Sequence, residues 1–193
     1  MIRQLLLAGI AILCSTPSGA TADAALARIQ QQLNTPGSLS GEFTQHKHIR
    51  QFDLTIDSSG RFSYTPDGEI LWETREPIAS ELIMSNEHIV SRQDGREISR
   101  IDASAHSVVT TLANLFFSVL TARWDSLERY FDLTATTTQD SWTVHLNPTD
   151  TTISTLFEAI ELSGDRHIGT VLLREKNGDT TRITFDKLVS GDE

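Results

Sequence analysis

The sequence predicts an α+β domain: an antiparallel sheet that curls into a barrel or sandwich, accompanied by two helices. Three observations predict it. Turn-forming residues recur about every ten positions through most of the chain, the spacing of short strands in an all-antiparallel meander. Between them apolar residues alternate with polar ones, the period of a strand with one buried face. Two stretches break that rhythm, with apolar residues three and four apart, the period of a helix.

The chain begins with Arg3, an apolar run from Leu5 to Leu13, and the small-residue triplet Ala20-Thr21-Ala22. This reads as a secretory signal peptide over residues 1–22, cleaved after Ala22. The run is well short of the ~20 residues that cross a bilayer as a helix. Cys14 follows it, but bulky Leu13 stands where bacterial lipidation requires a small residue. Removing residues 1–22 takes away the lone cysteine and leaves one domain, residues 23–193, expected in the periplasm and held by its core alone.

Asp23 can cap a helix carrying Leu26, Ile29 and Leu33, which Pro36-Gly37 stops. Turn signals then stand at Asp57-Ser58-Ser59-Gly60, Pro66-Asp67-Gly68, Asn86, Asp94-Gly95, Gln139-Asp140, Gly164-Asp165 and Asn177-Gly178. The alternating sets are Phe52/Leu54/Ile56, Phe62/Tyr64, Ile70/Trp72, Leu82/Met84, Trp142/Val144/Leu146 and Ile183/Phe185. Asn177-Gly178 is expected to form a type I′ hairpin, since both residues accept positive φ.

The second helix starts at a cap on Asp102 or Ser104 and runs to about Thr121, where the helical spacing ends. Val108, Val109, Leu112, Leu115, Phe116, Val119 and Leu120 share one side, and Ala113 with Phe117 widens the apolar arc to about 200°. Only Thr110, Thr111, Asn114 and Ser118 remain opposite, and no charge occurs from Ala103 to Ala122. A surface helix needs an apolar stripe of about 100°. This one is either deeply packed, closing a barrel end, or a lid over an apolar cavity.

Sixteen Lys+Arg stand against 26 Asp+Glu, a formal charge of -10. That sign excludes a nucleic-acid surface, whose affinity comes from clustered cations displacing counterions, and it limits contact with anionic membranes to transient encounters. Eight Phe and three Trp spread along the chain supply the burial that a disordered segment lacks. A single cysteine excludes a disulfide framework and a Cys-based zinc site. There is no Gly-x-Ser-x-Gly elbow, His-Glu-x-x-His helix, phosphate loop or dinucleotide fingerprint. His46-Lys47-His48 places two imidazoles on one strand face, but a third ligand would have to come from His88, His106, His145, His167 or an acid, and no recognised spacing supplies it. No catalytic residue, metal or cofactor is assigned, and the chain is not expected to be an enzyme.

The segment Gly41-Glu42-Phe43-Thr44-Gln45-His46-Lys47, followed by Ser59-Gly60-Arg61-Phe62-Ser63-Tyr64, Ile70-Leu71-Trp72 and Glu76-Pro77, resembles the periplasmic outer-membrane lipoprotein carriers of the LolA type, as a divergent member. The order of elements is similar as well, from about Asp23 to Val189. The resemblance implies an incomplete antiparallel β-barrel, a strongly curved sheet, with a helical lid and an N-terminal helix around an apolar cavity. It also implies a monomeric carrier without a cofactor, binding the acyl chains of a lipoprotein, lipid or glycolipid. An inner-membrane exporter would be the donor and an outer-membrane protein the acceptor. The cavity would be lined by Phe43, Phe52, Leu54, Ile56, Phe62, Tyr64, Ile70, Trp72, Leu82 and Met84 on the strands and by Leu115, Phe116 and Val119 on the lid. From spacing alone, the same residues read equally as a plain packed core. A second functional reading is a non-carrier interaction module that docks an inner-membrane exporter. In the lipoprotein carriers a lid-latching arginine stands in a Lys-Arg-Pro turn before the Leu/Phe-x-Trp strand. Here that stretch is Tyr64-Thr65-Pro66-Asp67-Gly68, with Pro66 at the arginine's place, which favours an acylated or lipid-like cargo over lipoproteins in particular.

Overall fold

A strand that alternates apolar and polar residues can bury only one face, so successive strands of this kind gain by lining up edge to edge with their apolar faces together. In the computed structural model, which describes residues 20–33, 37–65, 67–85, 87–102, 118 and 124–191, they do so in one sheet. The strands are β1 (Ser38–Ile49), β2 (Leu54–Tyr64), β3 (Ile70–Glu76), β4 (Ser80–Met84), β5 (His88–Gln93) and β6 (Arg96–Asp102) in the first half. The second half holds β7 (Phe131–Thr137), β8 (Trp142–Pro148), β9 (Phe157–Gly164), β10 (Ile168–Glu175) and β11 (Thr180–Gly191). Helices described are α1 (Ala20–Gln32) and the single turns α2 (Trp124–Leu127) and α3 (Ile153–Leu156).

The order across the eleven strands described is β6-β5-β4-β3-β2-β1-β11-β10-β9-β8-β7. The chain therefore runs outward from β1 to one edge, resumes at the opposite edge with β7, and returns to β11. That last strand pairs with β1 from Ser38–Gly191 to His48–Thr180. Every neighbouring pair is antiparallel, and β6 does not pair with β7, so the sheet is an open barrel. The antiparallel ladders put the β1–β2, β3–β4, β5–β6, β8–β9 and β10–β11 connections at one end, called the lower end below. No helix among the described residues is long and apolar enough to cross a membrane.

The core lies on the inner face. Trp142, Val144 and Leu146 of β8 alternate inward and are buried, as are Ile160 and Leu162 of β9, with Ile29 of α1 and Trp124 and Leu127 of α2 in the same cluster. Burial of an aliphatic or aromatic side chain is worth roughly 1.5–3 kcal/mol. Trp142 is also fixed by its indole N–H, which donates to the Asp165 carbonyl at 2.6 Å.

Three local expectations are corrected. Asp57-Ser58-Ser59-Gly60 is not a turn: β2 runs straight through it. Its composition suits a turn, but the small residues serve a packing need described below. Asn177-Gly178 is not a two-residue type I′ turn, because only Gly178 has positive φ, at 88°. The Asn177 side chain instead binds Asp179 through its amide N–H and its carbonyl, both at 2.9 Å, and the Gly178 N–H donates to the Glu175 carbonyl at 2.9 Å. The turn with two successive positive φ values is Asp94-Gly95, at 51° and 72°, between the paired residues Gln93 and Arg96. Helix α1 already includes Asp23 rather than being capped by it, although Ile29 and Leu33 are buried as their spacing predicts.

The second helix expected from the sequence falls almost entirely on residues outside those described. Its proposed cavity residues Leu115, Phe116 and Val119 lie outside the described residues. Ser118 alone is described there; it is helical and 5% exposed.

Candidate functional site

The inner face of β1–β4 carries the candidate site. Ladder pairs put Leu39, Tyr64, Ile70, Met84 and Ile89 in one row across the sheet, and Gly41, Phe62, Trp72 and Leu82 in the next. Phe43 pairs with Gly60 in the row below. Of the residues singled out from the sequence, Phe43, Phe62, Tyr64, Ile70 and Met84 are buried, and Trp72 and Leu82 are half-buried against the same core.

Phe43, Phe62, Trp72 and Phe185 form an aromatic floor. The Phe43 ring reaches across β2 to stack on Trp72 of β3, with centroids 3.8 Å apart and planes at 25°. Phe62 meets Phe185 edge-on at 5.1 Å, and Phe185 stands at 89° to Trp72 at 6.2 Å. Such pairs add about 0.5–1.5 kcal/mol each beyond area burial. Gly60 makes the stacking possible: a Cβ there would stand 2.9 Å from Phe43 Cε1 and would run into the Glu73 carbonyl oxygen. Gly41 plays the matching part for Phe62, whose Cε1 would lie 3.0 Å from a Cβ at that position. Phe185 was absent from the sequence-derived set. Its alternation with Ile183 was visible, but its place depends on β11 pairing with β1, which joins residues from opposite ends of the chain.

Below this floor the Gln45–Ser58 pair interrupts the apolar surface, which resumes in the open. Ile56 and Leu54 lie on the same face of β2 as Phe62 and Tyr64, yet they are 40% and 50% exposed. Phe52 is 69% exposed and belongs to no strand: it closes the 3-10 turn Arg50–Phe52, after which Asp53 takes positive φ, at 47°. The reading of Phe52, Leu54 and Ile56 as one alternating strand is corrected accordingly. They do not line an enclosed cavity; they form an exposed apolar end to the β1–β2 hairpin. The cause is length, since β2 begins pairing with β3 only at Ser59–Glu76, leaving residues 54–58 beyond the cover of the neighbouring strand.

Ionic groups gather mainly on the outer face. Glu42 accepts a hydrogen bond from the Lys187 ammonium at 2.7 Å and faces Arg61 at 3.9 Å. The hydrogen bond from Lys187, reinforced by the charges of Lys187, Arg61 and Arg75, holds the Glu42 carboxyl below its ordinary value of 4.5. An open groove of about 360 Å³ runs past this cluster, lined by Ser40, Glu42, Arg61, Ser63, Glu73 and Lys187 among others. Phe62 and Leu71 line it too, so its walls mix charged and apolar groups. His46 and His48 share the outer face of β1, as their spacing predicts, but each meets a different partner. His46 Nδ1 bonds Asp57 at 2.6 Å, and His48 lies 3.4 Å from the Thr55 hydroxyl. Among the described residues no group of three or more His, Cys, Asp or Glu is placed to hold a metal ion.

Comparison with known proteins agrees with this architecture. The family described as outer membrane lipoprotein carrier protein LolA matches residues 34–192. No curated protein matches in sequence. Among solved structures, a LolA superfamily protein from Nitrosomonas europaea superposes with a TM-score of 0.50 at 9% identity, over 89% of this chain and 94% of that one. The MucA/MucB complex of Pseudomonas aeruginosa gives a TM-score of 0.50 at 16% identity, over 89% of this chain and 57% of the matched chain. At these identities the likeness is one of fold.

Proposed function

The chain belongs to the outer membrane lipoprotein carrier protein LolA family, and from that premise we propose that it is a periplasmic carrier that holds the acyl chains of a lipoprotein, lipid or glycolipid on the inner face of its open barrel. The observation that supports this reading most is an inner face that carries the Phe43–Trp72 floor and, past the Gln45–Ser58 pair, the exposed Ile56, Leu54 and Phe52. A closed core has no use for large apolar side chains left in water at its margin, whereas an acyl chain laid there gains roughly 0.8 kcal/mol per buried CH₂. Carriage needs no covalent step and no cofactor. Cargo would come from an inner-membrane exporter and pass to an outer-membrane acceptor, with the chain exported by residues 1–22 and cleaved after Ala22.

Protein purified from its native periplasm, extracted with organic solvent and analysed by mass spectrometry, should release acyl lipid in stoichiometric amount. A Trp72→Asp variant that remains folded should release little. Lipid-free wild-type protein from the same preparation overturns the carrier reading.

A further inference from the structure

Among the described residues the sheet runs without a neighbour on one side at several places: the outer edge of β6, the outer edge of β7, residues 185–191 of β11, which lie beyond the β10 ladder where the pairing with β1 shifts register, and residues 54–58 of β2, where the hairpin passes the end of β3. Open edges invite pairing with other chains, and proteins guard them by covering them, charging them or bulging them. β7 is backed by α1. β6 carries Arg96, Glu97, Arg100 and Asp102, and it bulges at Ile98, since Ser91 pairs with Ser99 while Arg92 pairs with Glu97.

Residues 54–58 are neither covered nor bulged among the described residues, and they carry a single charge, Asp57, on the outer face. Their inner-face side chains Leu54 and Ile56 are apolar and exposed, and among the described residues their main chain makes no hydrogen bond beyond the ladder to β1. Five residues present about 17 Å of free edge. The stretch is also held in place from the other side. The Arg50 N–H donates to the Asp179 carboxylate at 3.0 Å, and Lys47 pairs with Glu175 at 2.9 Å. A braced, unpaired strand with alternating apolar side chains is a template for strand addition.

We infer that this edge of β2 receives an extended segment of another protein as an additional strand, with apolar side chains at alternate positions seated against Leu54 and Ile56. A bilayer is the poorer occupant. Hydrocarbon cannot satisfy the free peptide groups, and Asp53 and Asp57 offset Lys47 and Arg50, so the hairpin end has no net charge to draw it to anionic lipid. The strand would take the hairpin end that the carrier reading also gives to acyl chains, and the two are told apart by whether position 54 joins to protein or to lipid.

The test uses the full chain in its native host, with the photoreactive residue benzoylphenylalanine at Leu54 and, as a control, at Ser99 of β6. Irradiation should join position 54 to one other protein through a segment of alternating apolar residues, with no adduct from position 99. Combining the probe at 54 with Ile56→Lys, which places at this edge the kind of charge β6 already carries, should cut the adduct at least tenfold. Combining it with Phe52→Ser, which removes the side chain best suited to entering a membrane, should leave it. Near-ultraviolet circular dichroism checks that each variant is folded. Adducts only to lipid, to a second copy of this chain or to a helical segment overturn the inference, as does no adduct, or one undiminished by Ile56→Lys.

Discussion

The two halves of the sheet are built from the same alternating strands but treat their inner faces differently. Over β8 and β9, Trp142, Val144, Leu146, Ile160 and Leu162 lie in one cluster with Ile29 of α1 and Trp124 of α2, and the two tryptophans meet edge-on at 6.1 Å. On the β1–β4 side the same inward alternation begins buried at Phe43 and Phe62 and ends exposed at Ile56 and Leu54. Helical cover is the difference among the described residues. The covered half supplies cohesion. That cohesion lets the other half keep apolar surface in water, where it has free energy left to gain from a ligand.

The largest test of this contrast is truncation on each side of it. Trp142→Ala removes a sealed indole, breaks its bond to Asp165 and leaves a cavity, and should cost about 3–5 kcal/mol. Leu54→Ala removes a side chain already half in water and should stay within about 0.5 kcal/mol. Urea midpoints at equal m-value read both. Comparable losses would mean that the hairpin end is part of the core after all, and the distinction between the halves would collapse.

The same distinction marks what the sequence discloses. Alternation identified Phe62/Tyr64, Ile70/Trp72 and Trp142/Val144/Leu146 as inward sets because burial on one face is a local property of a strand. It could not separate a buried Phe62 from an exposed Leu54 on the same face, because that depends on where β3 ends. Asp57-Ser58-Ser59-Gly60 read as a turn because those residues usually make one. Here the small Gly60 answers to the Phe43 ring, which comes from another strand and leaves no local mark. Phe185 was missed for a similar reason, and the helix proposed over Leu115, Phe116 and Val119 falls outside the described residues.

Two strand glycines carry the contrast down to a single methyl group. At Gly60 of the open half, a Cβ would collide with the Glu73 carbonyl and press on the Phe43 ring. Gly60→Ala should therefore cost about 1–3 kcal/mol and disturb the near-ultraviolet dichroism of Trp72 by unstacking Phe43. At Gly169 of β10 the nearest atom to a new Cβ is the Ser163 carbonyl oxygen, at an ordinary 3.7 Å. Gly169→Ala removes unfolded-state freedom without strain and should leave the protein as stable, or up to about 1 kcal/mol more stable. Opposite signs sharpen the claim that the aromatic floor needs a bare backbone beneath it; equal signs break it.

The smallest effect tests whether the site is confined to the inner face. Glu42 of the outer face is held below its ordinary value of 4.5, first by the hydrogen bond from Lys187 and further by the Lys187, Arg61 and Arg75 charges. A carboxyl lowered in the folded state adds stability at pH values above its unfolded value, and that contribution is lost as pH falls through the folded value. Because the pair is exposed, the contribution is slight, and the titration itself is the better readout. In Lys187→Met the Glu42 carboxyl midpoint, followed by its ¹³C shift, should rise toward 4.5, while Arg61 and Arg75 retain part of the depression. Glu97, held low by Arg100 on β6, should not move. Acyl lipid recovered from the variant should equal that from the wild type, because Lys187 bonds Glu42 on the outer face, the other side of the sheet from Phe43 and Trp72. A fall in bound lipid that tracks the Glu42 titration would place part of the binding surface on that outer face, and an inner face acting alone would no longer account for it.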